Sequence, residues 1–480
     1  MKFSKAKIFQ IFSIFLLECV ASEEWFTRIN KDVENNLNYD KTVSIDSFSK
    51  KSKLSCLQIC LSFESSCQFF QFSINKRCTI YSALKKECFH GENDIYLRRK
   101  KLPRIHFVNG SFVERSQLLN SVSFNLSRNE INLIAPFVFA NSNRTTTLDL
   151  SFNNLTLIYS KSFYGMINLK TLNLSCNQIS QLESDVFKEL PSLAILHLGY
   201  NSLRYLNGNI FDNLQLLKDI NLEFNQIESI EKYTFKNLNK LERIYLNNNN
   251  LKSLEPYFQN LESFIYLDIS FNQIWFVHND TFKSLNKVKI LKIYMNQITE
   301  INSEMFRGAS GLERLFINSN KIQKIDENFT QNVANLIHLD ISKNNLSLIA
   351  PDIFNNLARL ENLKLDFCNI KEINLRAQNL SSLIELQIYT NPLGNLTYPL
   401  ITSQNSSLET LAISYCQLNY IDLNVLRNFT YLKKLNIAGN FLTLSNDTFN
   451  GFKSLTTVYA KKDDVQRFTF LYPNITFIIS

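Results

Sequence analysis

One nine-residue pattern, L-x-x-L-x-L-x-x-N, recurs along the chain at a nearly fixed interval and leaves little freedom in how the chain can fold. Its closing asparagine falls at Asn129, Asn153, Asn177, Asn201, Asn225, Asn249, Asn272, Asn296, Asn320, Asn344, Asn391 and Asn440, and Cys368 and Cys416 fill two further slots. These 14 copies are spaced 24 residues apart, with deviations to 23 and 25, and a partial fifteenth begins at Leu455. Most units place an apolar residue two after the asparagine, as at Ile179 and Ile227, and a phenylalanine ten after it, as at Phe163, Phe187 and Phe211. Phe258, Phe329 and Phe449 come one residue early. The returning side of each unit therefore absorbs single-residue adjustments, while the spacing inside the nine-residue motif does not drift.

The motif has a direct physical reading. In LKTLNLSCN, the alternation puts Leu169, Leu172 and Leu174 inward and Thr171, Asn173 and Ser175 outward, which makes a short strand. Strands of successive units stack as a parallel sheet roughly 4.8 Å apart, so 14 of them span about 60 Å. Turn-like return segments take more width than strands, so the stack bends with the sheet on its concave side. The asparagine amide both donates and accepts, and is placed to satisfy backbone groups of its own turn and of the next unit. Cys368 and Cys416 fill that slot as small, nearly apolar residues with a weak donor. They are expected to be buried thiols, too far apart in the stack to bridge. Cys176, just before Asn177, is left either exposed or bonded to Cys88.

These residues resemble the leucine-rich-repeat family, in its 24-residue extracellular form. The resemblance implies an α/β solenoid: an arc with a concave parallel β-sheet over 119–454, with a partial repeat and C-terminal cap over 455–480. Extracellular members usually carry cysteine-rich caps, and this chain has no such cluster at either end of the array. The apolar tail FTFLYPNITFIIS, interrupted by Pro473 and Asn474, reads as a strand-like cap or a cut end.

The N-terminus reads as an export signal over 1–21: Lys2, Lys5 and Lys7, an apolar run from Ile8 to Leu17, then Cys19-Val20-Ala21. No later stretch has the roughly 20 apolar residues that a membrane helix needs. The next module, 25–95, packs Cys56, Cys60, Cys67, Cys78 and Cys88 into 33 residues, which indicates a small disulfide-stapled α+β domain. A helical start would set Cys56 and Cys60 one turn apart, CQFFQF reads as a strand, and CTIY as its partner after a turn near Asn75. On these residues the module resembles the PAN/apple family, which implies the pairs Cys56–Cys78 and Cys60–Cys67. The resemblance covers about 70 residues. No cysteine lies between Trp25 and Lys53 to pair with Cys88 as in full apple domains, so Cys88 is left to bridge a second chain or to stay buried and free. Residues 96–118 form a basic linker and the start of the array. Arg98, Arg99, Lys100 and Lys101 there suit a heparin-like acidic glycan or lipid headgroups, a processing site, or a solvated hinge.

The formal charge is +8, and the leader accounts for a net two of it, leaving about +6 on the rest. That is mild, and no nucleic-acid motif accompanies it. The five histidines form no H-E-x-x-H pair or finger-type set, and phosphate-binding glycine loops and G-x-S-x-G are absent. His338, Asp340 and Ser342 share the concave face without an activating turn. No enzyme and no cofactor are expected. Fourteen N-x-S/T acceptors include Asn125 and Asn173 on concave strand positions, but the strands between Tyr200 and Tyr389 carry none. That stretch presents Arg243, Tyr245, Tyr266, Asp268, Lys292, Tyr294, Arg314, Phe316, Asp340, Asp366 and Tyr389 outward, the residue types that protein-binding hot spots use. The expected function is a secreted or matrix-associated adaptor that holds a secreted or cell-surface protein. The alternative is the ectodomain of an adhesion or innate-immune (Toll-like) receptor.

Overall fold

The computed structural model describes residues 121–480 apart from 348, 351, 374, 376–379, 398–399 and 402–405, together with the backbone of strands Val43–Ile45, Cys67–Phe72, Cys78–Ser82 and Phe107–Val108. The chain divides into two compact units, Met1–Leu102 and Pro103–Ser480. In the first, Cys67–Phe72 pairs antiparallel with Cys78–Ser82, as the sequence indicates, and Val43–Ile45 pairs with the other edge of Cys78–Ser82. The expected helix at Cys56, the pairs Cys56–Cys78 and Cys60–Cys67, Cys88 and the cluster Arg98–Lys101 lie outside the described residues.

The second unit is a repeat solenoid. Sixteen strands form one sheet, all paired in parallel, from Ser123–Asn125 to Thr476–Ile479. Fourteen are the motif strands, and the partial repeat supplies Thr457–Ala460. Most motif strands have three residues with only the middle one buried, as at Thr171–Asn173. The flanking leucines complete the core: Leu169, Leu172 and Leu174 are fully buried. Each such side chain contributes roughly 2 kcal/mol of burial. The return side is more regular than a run of turns. Short two-residue ladders bridge neighbouring units, as between Leu157–Ile158 and Gln181–Leu182.

Two longitudinal structures join the units. The first is the asparagine ladder. Asn177 donates through Nδ2 to the carbonyls of Leu174, 3.1 Å, and Leu150, 3.0 Å, and its Oδ1 accepts from Leu155 N–H at 3.0 Å. The partners thus belong to its own turn and to the preceding unit, not the following one. The direction follows from the turn, which brings the amide back over the unit already laid down. The second is a phenylalanine spine. Phe163, Phe187, Phe211, Phe235 and Phe258 stack in sequence, with centroids 5.7–6.4 Å apart and planes within 20°. Phe258, one residue early, still reaches the stack, because the residue it lacks falls after the Ser253–Leu254 ladder, whose pairing with Phe276–Val277 is kept.

Cys368 and Cys416 are buried and free, as expected for the slots they fill. The Cys416 thiol donates to the Ile388 and Ser414 carbonyls at 3.3 and 3.4 Å, copying the asparagine's donor role. Burial pushes both thiols up to about 12, so they remain protonated. Cys176 is buried and disulfide-bonded, which removes the exposed-thiol alternative. The C-terminal tail adds a feature not read from sequence: helix Lys462–Leu471 between the strands Thr457–Ala460 and Thr476–Ile479. Phe468 of this helix and Tyr472 just after it pack with Phe449 and Phe477, covering the core of the last repeat.

Candidate functional site on the concave sheet

Strand alternation and parallel register set two rows of side chains on the concave face. One row runs Asp219, Arg243, Tyr266, Ile290, Arg314, His338, and the other Asn221, Tyr245, Asp268, Lys292, Phe316, Asp340. Eight of the eleven sequence-predicted residues lie in these rows. Tyr294, Asp366 and Tyr389 lie two residues beyond the strands, toward the asparagine turn.

Register brings four of them together. The Tyr245 and Tyr266 rings lie 5.1 Å apart. Tyr266 Oη donates to Asp268 Oδ2 at 3.2 Å, and Lys292 Nζ stands 3.6 Å from the same oxygen and 5.3 Å over the Tyr266 ring. The lysine is held by a carboxylate and an aromatic face at once, which limits the freedom it would lose on binding. Beside them Arg243 forks onto Asp219, with Nη2 at 3.2 Å from Oδ2 and a closer Nε contact. Burial, reinforced by the Asp268 charge, pushes the Tyr266 hydroxyl far above its ordinary range, and burial raises Tyr245 as well. Both phenols stay neutral donors. Farther along, the Phe316 ring lies 4.8 Å from His338, and burial lowers the imidazole below its usual value. Arg314 is the most exposed of the predicted residues.

The acids serve the fold as much as the face. Asp268 and Asp340 each accept from the backbone N–H and hydroxyl of the serine two residues on, Ser270 and Ser342, with hydroxyl distances of 2.6 Å. Asp268 and Asp366 are buried, with 7% and 3% exposure, so neither presents a free carboxylate. Burial, then the neighbouring Asp340 charge, raises Asp366 to about 6. The Ser342 hydroxyl is committed to Asp340 while His338 packs on Phe316, so no nucleophile–base pair forms there. Among the described residues no group of three or more His, Cys, Asp or Glu side chains is arranged to hold a metal ion.

A third row was missed in the sequence. The residue immediately before every ladder position, from Arg128 to Gly439, has φ between +49° and +65°. This left-handed turn aims its N–H at the next unit, as Phe152 N–H at Ser175 O, 3.0 Å. Asparagine or glycine adopts it most cheaply, and Asn248 and Gly439 do so here. Yet six positions carry aromatic rings: Phe152, Tyr200, Phe224, Phe271, Phe367 and Tyr415. Tyr200 stacks on Phe224 at 4.4 Å, and Phe271 and Phe367 meet Tyr294 and Tyr389 at 5.4 and 5.6 Å. The rim beside the sheet is therefore aromatic and continuous with Tyr294 and Tyr389. The signal was present in the sequence as an aromatic residue just before the ladder asparagine or, at Phe367 and Tyr415, before the cysteine that replaces it.

Comparison with known proteins fits this architecture. The leucine rich repeat family profile matches 122–175, 167–227, 215–274, 265–322 and 310–370, more than half of the chain. The chain belongs to the leucine-rich-repeat family. A profile of the BspA type leucine rich repeat region also matches this repeat protein over 402–475. No curated protein sequence matches it. Among solved structures, an internalin of Listeria monocytogenes has 19% identity and a TM-score of 0.52, over 72% of this chain and 88% of its own. A leucine-rich-repeat protein of Leptospira interrogans has 19% identity and a TM-score of 0.53, over 77% and 88%. The glycosylated Toll–Spätzle complex of Drosophila has 18% identity and a TM-score of 0.55, over 75% of this chain and 49% of that one. At these identities the likeness is one of fold. No helix among the described residues is long and apolar enough to cross a membrane.

Proposed function

We propose that this leucine-rich-repeat chain is an extracellular, non-catalytic module that binds a protein ligand on its concave sheet, as the ectodomain of an adhesion or innate-immune receptor. The preorganised cluster of Tyr245, Tyr266, Asp268 and Lys292 carries this reading. It sets neutral phenols and a fixed cation in the middle of the acceptor-free strands, with Arg314 and Phe316 beyond it. Aromatic anchors with a prepaid lysine are what a protein interface exploits. The exposed acceptors Asn279 and Asn328 lie on the return side, where attached glycans would leave the sheet open. The Drosophila relative of like fold is a Toll in complex with Spätzle, described as a hub in development and innate immunity, which supports the receptor form of the reading.

A secreted or matrix-associated adaptor is the second reading. The cysteine-dense N-terminal segment, with its PAN/apple resemblance and the basic Arg98–Lys101, favours it, since a separate binding module suits a soluble bridge. The deciding experiment locates the native protein and its C terminus by membrane partition and peptide mass spectrometry. Retention with membranes supports the receptor, and recovery in the medium alone supports the adaptor. An intracellular protein with no glycan on Asn143, Asn279 or Asn328 would remove both.

A further inference from the structure

The return side of the solenoid carries an exposed aromatic pair that the concave site does not use. Trp275 and Phe276 begin a short ladder, Phe276–Val277 against Ser253–Leu254, and stand 62% and 41% exposed with ring centroids 5.7 Å apart. The matching positions of the neighbouring units hold Lys252 and Ser253 on one side and Thr299 and Glu300 on the other, so the pair is a narrow apolar island among polar side chains. At these exposures the two rings show roughly 200 Å², against about 800 Å² per partner in a stable protein interface. Three residues after Phe276 lies Asn279, an exposed acceptor in the sequence Asn279-Asp280-Thr281. It sits on an ordered turn: Thr281 N–H donates to His278 O at 2.9 Å, and Asp280 N–H to His278 Nδ1 at 3.0 Å. The His278 ring meets Phe276 in a T-shaped contact at 6.4 Å, which holds the turn against the pair. From Phe276 to Asn279 the backbone spans at most about 10 Å, within reach of an asparagine side chain bearing a sugar.

We propose that Trp275 and Phe276 are the seat of the first N-acetylglucosamine of a glycan on Asn279. The proposal rests on the extracellular reading above. The bond forms on export, when Asn279 Nδ2 displaces a lipid pyrophosphate carrier from the sugar's anomeric carbon and gives up one proton. One face of the sugar ring is a sheet of C–H bonds, and the electron-rich faces of the two aromatic rings attract it. The sugar then covers an island too small for a protein and turns its hydroxyls to water. Asn328 is the contrasting case. It is exposed on the return side two units on, where Gln323 and Lys324 take the places of Trp275 and Phe276. A sugar there has no aromatic seat.

Hydroxyl-radical oxidation of the full exported chain, read at Trp275 by peptide mass spectrometry, tests the proposal. It is measured with glycans intact, after enzymatic trimming to the first sugar, after complete removal, and in Asn279→Gln. Trp275 oxidation is expected to stay unchanged on trimming and to rise about twofold or more in Asn279→Gln and on complete removal. Asn328→Gln is expected to leave it unchanged. Equal oxidation with and without the Asn279 sugar overturns the proposal, as does protection lost on trimming, which would assign the cover to outer sugars. An exported chain with Asn279 bare overturns this proposal alone, whereas an intracellular chain without sugar removes the extracellular reading with it.

Discussion

The repeats from Asn153 to Asn344 and those from Cys368 onward are built on one plan but bonded differently. In the first stretch every ladder slot holds asparagine, and the return segments carry a phenylalanine, stacked ring on ring from Phe163 to Phe258. In the second, cysteine takes two slots, and Ile401 and Leu426 are buried where rings would be, before Phe449 restores one. The sheet itself does not notice, since strand register continues unchanged through Asn362–Lys364, Glu385–Gln387 and Thr410–Ala412. Strand pairing therefore depends on the inward leucines. The ladder and spine fix how each return segment is held.

Substitutions in the two stretches can break or sharpen that contrast. Phe211→Ala is expected to cost about 3–5 kcal/mol in chemical denaturation, since both stacked neighbours lose a wall. Leu426→Ala should cost less, and equal losses would mean that stacking adds nothing to burial. Asn249→Leu comes next, at about 3 kcal/mol. It strands the Leu222 and Leu246 carbonyls and the Ile227 N–H, all of which it now bonds at 2.9–3.0 Å.

The third prediction concerns pH. Asp366 is raised to about 6 in the folded protein, above its ordinary 3.8, so the folded state holds the proton more tightly than the unfolded one. Its contribution is favourable below pH 4 and is lost as pH rises through 6, by about 2–3 kcal/mol. Asp366→Asn should flatten this part of the stability profile between pH 4 and 7, and an unchanged slope would contradict the assignment. The smallest effect is expected at Cys368→Asn, within about 1 kcal/mol of wild type. The thiol already donates to Ile341 and Asp366 carbonyls at 3.5 Å, and asparagine would only restore an acceptor. A loss of several kcal/mol there would mean that the second stretch has repacked around sulfur.

Much of this was legible in the chain. The strands, their inward leucines, the buried thiols and the concave placement of Arg243, Tyr245, Tyr266 and Lys292 all follow from spacing, because a period of two fixes which side faces out. The aromatic rim was less visible, since nothing in one repeat announces a positive φ before the asparagine. The roles of Asp268 and Asp340 were also hidden, because a hydrogen bond to the serine two residues on uses a pattern that sequence permits at many other sites.

Sequence alone determined the repeat, its parallel sheet and the residues on each face, since each is set by local spacing repeated many times. Tertiary structure decided which of those faces became a site. Only stacking units in register could place Lys292 over Tyr266 and against Asp268, and bury Asp366 beside Asp340. Each of these depends on neighbours about 24 or more residues apart in sequence, and no local pattern encodes them.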